Sequence, residues 1–228
     1  MPRRARWAPG GYIYHVLNRG VGRRTLFHKP ADYEAFFAIM AEAHHRHPAR
    51  LLTFCLMPNH WHMVIWPQAD EQLSQFVGWL SLTHSHRHHA HYRTVGEGHL
   101  YQGRFKSFPV EEGPGLLAVC RYVERNALRA NLVPRAEHWP WSALHVRLHG
   151  PPWVRRLLHP WPWPRPADWI ERVNEPQTPD ELDGLRQSAQ RGRPFGSPDW
   201  LVQTSHTLAL THTLRPRGRP KLVNQQKG

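Results

Sequence analysis

The sequence predicts an α+β domain: a four-stranded antiparallel sheet with its helices on one face, followed by a basic extension rich in proline and arginine. Three observations carry that expectation. Between Tyr12 and Val110 the apolar period switches in the order strand, helix, strand, strand, helix, strand. Within it, His60, His62 and Val64 alternate with Trp61, Met63 and Ile65, as a strand with one polar and one apolar face requires. From about Gly150 prolines and arginines crowd in, which divides the chain into residues 1–149 and 150–228.

Tyr12 to Leu17 alternates aromatic, aliphatic and polar residues and stops at Asn18-Arg19-Gly20, a first strand ending in a turn. Tyr33, Phe36, Phe37, Ile39 and Met40 recur at helical spacing between Ala31 and His47, with Pro48 closing the run. Leu51 to Met57 reads as a second strand, and Pro58-Asn59 folds it back on the third, a short buried run from His60 to Trp66. Two imidazoles on one face of a rigid strand make half of a metal site, because the strand fixes both donors before an ion arrives. A solvated or packed pair is the competing reading in a chain with 19 histidines. A second helix spans about Glu71 to His91 on the stripe Leu73, Phe76, Val77, Leu80. Its histidine-rich end, His84 to His91, reads as a solvated face near a polyanion rather than as a second metal site. Leu100 to Val110 is then a basic, aromatic fourth strand. This order is that of a ferredoxin-like split β-α-β unit, whose second face is expected to be open.

Leu116, Leu117, Val119, Cys120, Val123 and Leu128 mark a further helix from Pro114 to Asn131. On it Tyr122 and Asn126 lie one turn apart on one face, with Arg125 and Arg129 as a cationic row beside them. Taken alone, a helical tyrosine reads as a core or interface ring. In the extension, the tryptophans of Pro160 to Pro164 are expected to clamp the tail onto the first domain. Ser197-Pro198 starts a helix. Arg-Gly-Arg-Pro occurs at Arg191 to Pro194 and again at Arg217 to Pro220. Extended, the arginines Arg191, Arg193, Arg217 and Arg219 suit the floor of a narrow minor groove, in the manner of an AT-hook; generic phosphate binding is the equal alternative.

Thirty Lys and Arg against 17 Asp and Glu give a net charge of +13, an electrostatic footprint for a polyanion. No long apolar span or lysine-rich amphipathic helix supports a membrane partner, so nucleic acid is favoured. The two cysteines, Cys55 and Cys120, lie in apolar stretches outside any C-x-x-C pattern, and the basic N-terminus lacks the apolar core of a signal peptide. A cytoplasmic protein with reduced thiols is expected.

His60-Trp61-His62 after Met57-Pro58-Asn59, preceded by Tyr14 to Gly20 and followed by Tyr122 to Ala130, resembles the REP-associated tyrosine transposases, HUH single-strand endonucleases with one tyrosine. The resemblance runs in order from about Tyr12 to Trp141. It implies that His60 and His62 bind a divalent ion, that Tyr122 is the nucleophile, and that Asn126 stands where relatives place an amide as third ligand, commonly glutamine. Two nitrogens and an amide oxygen with waters suit Mg²⁺ or Mn²⁺ better than zinc. It further implies cutting and rejoining of single-stranded DNA at a hairpin-forming palindrome through a 5′-phosphotyrosine. Arg19, Arg104 and Lys106 are then candidates for phosphate contacts, beside Arg125, Arg129 and the arginines of the tail. Tyr101, Phe105 and Phe108 stack bases or pack the core. The alternatives are a hairpin-binding protein that has lost its cut, against which the intact His60, His62 and Tyr122 argue, and an RNA-binding ferredoxin-like module. The resemblance implies that tyrosine helices can be exchanged between subunits, but the long proline-rich tail could equally hold one chain together, and a monomer is the expectation.

Overall fold

The computed structural model describes residues 8–215. Four antiparallel strands, β1 (Ile13–Arg19), β2 (Arg50–Met57), β3 (His60–Trp66) and β4 (Lys106–Val110), form one sheet in the order β2-β3-β1-β4. Pro58 and Asn59 close the β2–β3 hairpin, with Met57 opposite His60. Helices α1 (Pro30–Arg46) and α2 (Gln72–Tyr92) connect the strands and pack on one face. Tyr14, Val16, Trp61, Met63 and Ile65 meet Phe36, Ile39, Met40, Phe76 and Leu80 there, all buried, as the strand alternation requires. That burial, about 25 cal/mol per Å² of apolar surface, fixes the register: a slip of one residue would turn His60 and His62 into the core.

The second face is not open. Helix α3 (Pro114–Glu124) and the short α4 (Asn126–Arg129) lie across it, with Leu116, Val119, Cys120, Val123 and Ala127 packed on Ile13, Cys55, Val64 and Phe108. The break at Arg125 splits the single helix expected from Pro114 to Asn131, and Asn131 ends the turn in left-handed backbone at φ 55°. The fourth strand is shorter than expected. Residues 100–105 form a loop that meets the end of β1 through the Tyr101–Gly20 bridge and the bond from Gln102 N–H to the Arg19 carbonyl at 2.9 Å, and Pro109 confines β4 to the sheet edge.

After α5 (Ala143–His149) the chain continues beyond residue 149 as α6 (Pro152–Arg155), α7 (Trp169–Asn174), α8 (Pro179–Arg191) and α9 (Pro198–Thr207). These residues share both cores: Val154, Leu157 and Leu158 join the α1/α2 side, while Trp169, Val173 and Leu185 join the α3 side. Trp161 donates to the Leu52 carbonyl at 2.8 Å, the expected clamp, while Trp163 stays half exposed. Glu124, buried and pushed up from its ordinary pKa by desolvation, accepts from Thr53 at 2.6 Å and from Trp169 Nε1 at 2.7 Å, tying sheet, α3 and α7 together. The predicted start of α9 is present, but Ser197 Oγ donates to Glu111 at 2.9 Å instead of capping the helix.

Candidate active site

An open cavity of about 580 Å³ lies where β1, β3, the loop before β4, α3 and α8 converge. Its lining includes His60, His62 and Tyr122 with five cations, Arg19, Arg104, Lys106, Arg129 and Arg186, and no acid. Such a wall favours an anionic ligand, and the enclosing low-dielectric protein strengthens that preference.

Strand β3 places His60 and His62 on the face opposite Trp61 and Met63, as the alternation predicts. Each imidazole is held through Nδ1. His60 Nδ1 lies 2.7 Å from Asn59 Oδ1, and His62 Nδ1 lies 2.9 Å from His15 Nε2. Burial is the main cause that lowers both pKa values, His60 to about 3 and His62 well below its usual value; Arg19 and Arg129 add to it. The rings are therefore neutral at physiological pH, and each could ligate through Nε2 in the tautomer that carries its proton on Nδ1. Among the described residues no group of three His, Cys, Asp or Glu has the placement to hold a metal. The two histidines are therefore two of the donors that a metal site needs, and amide, water or phosphate oxygens would have to supply the rest.

Tyr122 stands edge-on to His62, ring centroids 5.7 Å apart and planes at 87°, and the Arg129 guanidinium covers its ring at 4.2 Å. Arg129 also donates to Asn126 Oδ1 at 2.9 Å. Asn126 is buried, is not among the residues lining the cavity, and its Nδ2 has no partner. The cationic row expected beside Tyr122 is half realised. Arg125 turns away and donates to the main-chain carbonyls of Val173 and Asn174, while Arg121 binds those of Arg172, Glu175 and Pro176. The carbonyls at the end of α7 attract these side chains more closely than the open cavity does.

Arg19, Arg104 and Lys106 all reach the cavity wall. Tyr101, Phe105 and Phe108 do not offer stacking faces: all three are buried, and Tyr101 Oη accepts from Trp61 Nε1 at 3.0 Å. The first Arg-Gly-Arg-Pro is folded rather than extended. Arg191 ends α8, Gly192 caps it in left-handed backbone at φ 72°, and Phe195 bonds across the outer edge of β4. Arg191 donates to the Thr213 carbonyl and Arg193 to Gln187. An AT-hook conformation is excluded for this copy; Arg217 and Arg219 lie outside the described residues. The histidine-rich end of α2 is also partly core, since His84 and His88 are buried against Phe27, Phe36 and Tyr92.

Sequence reasoning missed His15, Asn59 and the α8 pair Arg186 and Gln190. His15 sits at an inward position of β1 beside an already suspect H-x-H, a signal that strand pairing would have revealed. Arg186 and Gln190 are four apart on one helical face, yet nothing local says which cavity that face meets.

A search of curated proteins finds no match. Among solved structures, that of a REP-associated tyrosine transposase bound to a REP hairpin is similar at 17% identity over 72% of this chain and 91% of that one. The TM-score of that pair is 0.48. No helix among the described residues is long and apolar enough to cross a membrane. Residues 10–126, just over half of the 228, match the model of the IS200-like transposases, and the chain belongs to that family.

Proposed function

We propose that the chain is a metal-dependent single-strand DNA endonuclease and strand transferase of the REP-associated kind, acting at hairpin-forming palindromes. The observation that carries this reading is Tyr122 held 5.7 Å edge-on to His62 in a cavity whose charged lining is entirely basic. His60 and His62 would hold Mg²⁺ or Mn²⁺ through Nε2, and Asn126 would join them by exchanging Arg129 for the ion. Held by His60 and His62, a divalent ion would supply Lewis-acid withdrawal of charge from the phosphate under attack.

Tyr122 Oη attacks phosphorus as the P–O3′ bond breaks. The phenol loses its proton to water, the 3′ oxygen gains one, and the 5′ phosphate stays on the tyrosine. Because the link stores the phosphodiester, attack by a 3′-OH releases Tyr122 and rejoins the strand without ATP. Arg129 holds the ring, and Arg19, Arg104, Lys106 and Arg186 lie where the flanking phosphates would run. His60, His62 and Tyr122 line one cavity within a single copy, and action as a monomer is part of this proposal. On this reading residues 1–149 carry the chemistry and 150–228 add basic contacts to DNA, Arg217 and Arg219 among them.

The test is a denaturing gel of the protein with a palindromic hairpin labelled on its 3′ side, with Mn²⁺, beside Tyr122→Phe and a chelator. A slow covalent band lost in both controls is expected. Hairpin binding with no such band across a hairpin panel would instead favour a protein that holds DNA without cutting it, consistent with Asn126 committed to Arg129.

A further inference from the structure

We propose that His15 is a positioning residue for His62, fixing the tautomer and direction in which that ring meets an ion; this rests on the reading of His60 and His62 as metal ligands. His15 belongs to the buried interior of β1, 1% exposed and absent from the cavity lining. In the β1–β3 ladder it pairs with Val64, while Leu17 pairs with His62, so the two imidazoles are diagonal neighbours on one face. Their rings stack with centroids 5.0 Å apart and planes at 23°, and Nε2 of His15 lies 2.9 Å from Nδ1 of His62.

A neutral pair at that distance shares one proton along the contact, and two arrangements exist. If His15 Nε2 carries the proton, His62 must carry its own on Nε2, where it blocks coordination. If His62 Nδ1 carries it, Nε2 offers a lone pair to the cavity and His15 is protonated on Nδ1. His15 Nδ1 is buried without a partner, with the Phe108 ring 4.8 Å away, centroid to centroid. That orphaned atom carries a desolvation cost and is hard to explain as a device for stability. It follows directly if the contact serves His62. Asn59 does the same for His60, with Oδ1 at 2.7 Å from Nδ1. Each candidate ligand thus has its own outer partner, the arrangement that fixes ring orientation in histidine metal sites. His15 is not itself a ligand on this account, because an ion between it and His62 would be sealed from a phosphodiester.

The experiment is Mn²⁺ binding to the full chain, read by the electron paramagnetic resonance of free Mn²⁺, for the wild type, His60→Ala, His15→Phe and His15→Gln, each checked for folding by circular dichroism. His60→Ala should remove the site. His15→Phe, which keeps the ring volume, should weaken binding roughly 10–100-fold. His15→Gln, whose amide oxygen accepts from Nδ1–H, should recover a large part of the loss. Wild-type affinity in a folded His15→Phe overturns the proposal. So does a loss as complete as that of His60→Ala with no recovery in His15→Gln, since His15 would then be a ligand. If the wild type itself binds no Mn²⁺, the metal reading fails, and the inference with it.

Discussion

Arg125 and Lys106 carry the same charge, and their surroundings give it different uses. Arg125 donates to two carbonyls of α7, whereas Lys106 is exposed on the cavity wall. Arg125→Ala should therefore lower the stability by about 1–3 kcal/mol in urea titrations and leave the salt dependence of hairpin binding nearly unchanged. Lys106→Ala should leave stability alone and flatten the slope of log K against log salt by about 0.7. His84 is a second residue whose burial sets its behaviour. Trp61 donates to Tyr101 Oη, which lies 2.6 Å from His84 Nδ1, and burial lowers the His84 pKa from 6.5 to about 3. The unfolded chain takes up this proton first. The contribution is complete above pH 6.5 and is lost as pH falls toward 3, by at most about 1.4 kcal/mol per pH unit. Urea midpoints at pH 7 and pH 5 should diverge less in His84→Phe than in the wild type; equal divergence would place the titration elsewhere.

At the scale of elements, the strands and the two connecting helices were legible because their apolar periods are long and their ends are marked by Pro48, Pro67 and the Pro58-Asn59 turn. The histidine pair was legible for the same reason, since alternation alone puts His60 and His62 opposite Trp61. Three features were not. His84 and His88 look like a polar helix end until Phe27 and Phe36 are brought over them by the fold. The Arg-Gly-Arg-Pro of residues 191–194 reads as extended, yet the preceding helix makes its glycine a cap. Helix α8 reads as part of a basic tail, yet packing Leu185 and Ser188 inward turns Arg186 and Gln190 to the cavity that holds Tyr122. These two side chains should grip the strand beside the cut. The double variant Arg186→Ala/Gln190→Ala should slow covalent capture of a hairpin at least several-fold while the urea midpoint stays put, and unchanged capture would remove α8 from the site.

For the whole molecule, the surplus of 13 positive charges and the shared cores pull in one direction: the residues after 149 are both a source of charge and a structural cover for α3. Burying Trp169, Val173 and Leu185 contributes about 1.5–3 kcal/mol each, comparable together with the whole stability of an ordinary domain. A chain ending at His149 should accordingly lose its cooperative unfolding transition, with the Trp169 partner of the buried Glu124 removed as well. A cooperative transition at the full-length midpoint would mean that the cover is dispensable. The proposed chemistry turns on one bond, between Tyr122 and a 5′ phosphate. The most direct measurement is mass spectrometry of tryptic peptides after reaction with a palindromic hairpin and Mn²⁺, where cleavage after Arg121 and Arg125 isolates Tyr122-Val123-Glu124-Arg125. This peptide should carry the nucleotide adduct, and an adduct on any other tyrosine, or none while the DNA is cut, would rule out Tyr122 as the nucleophile.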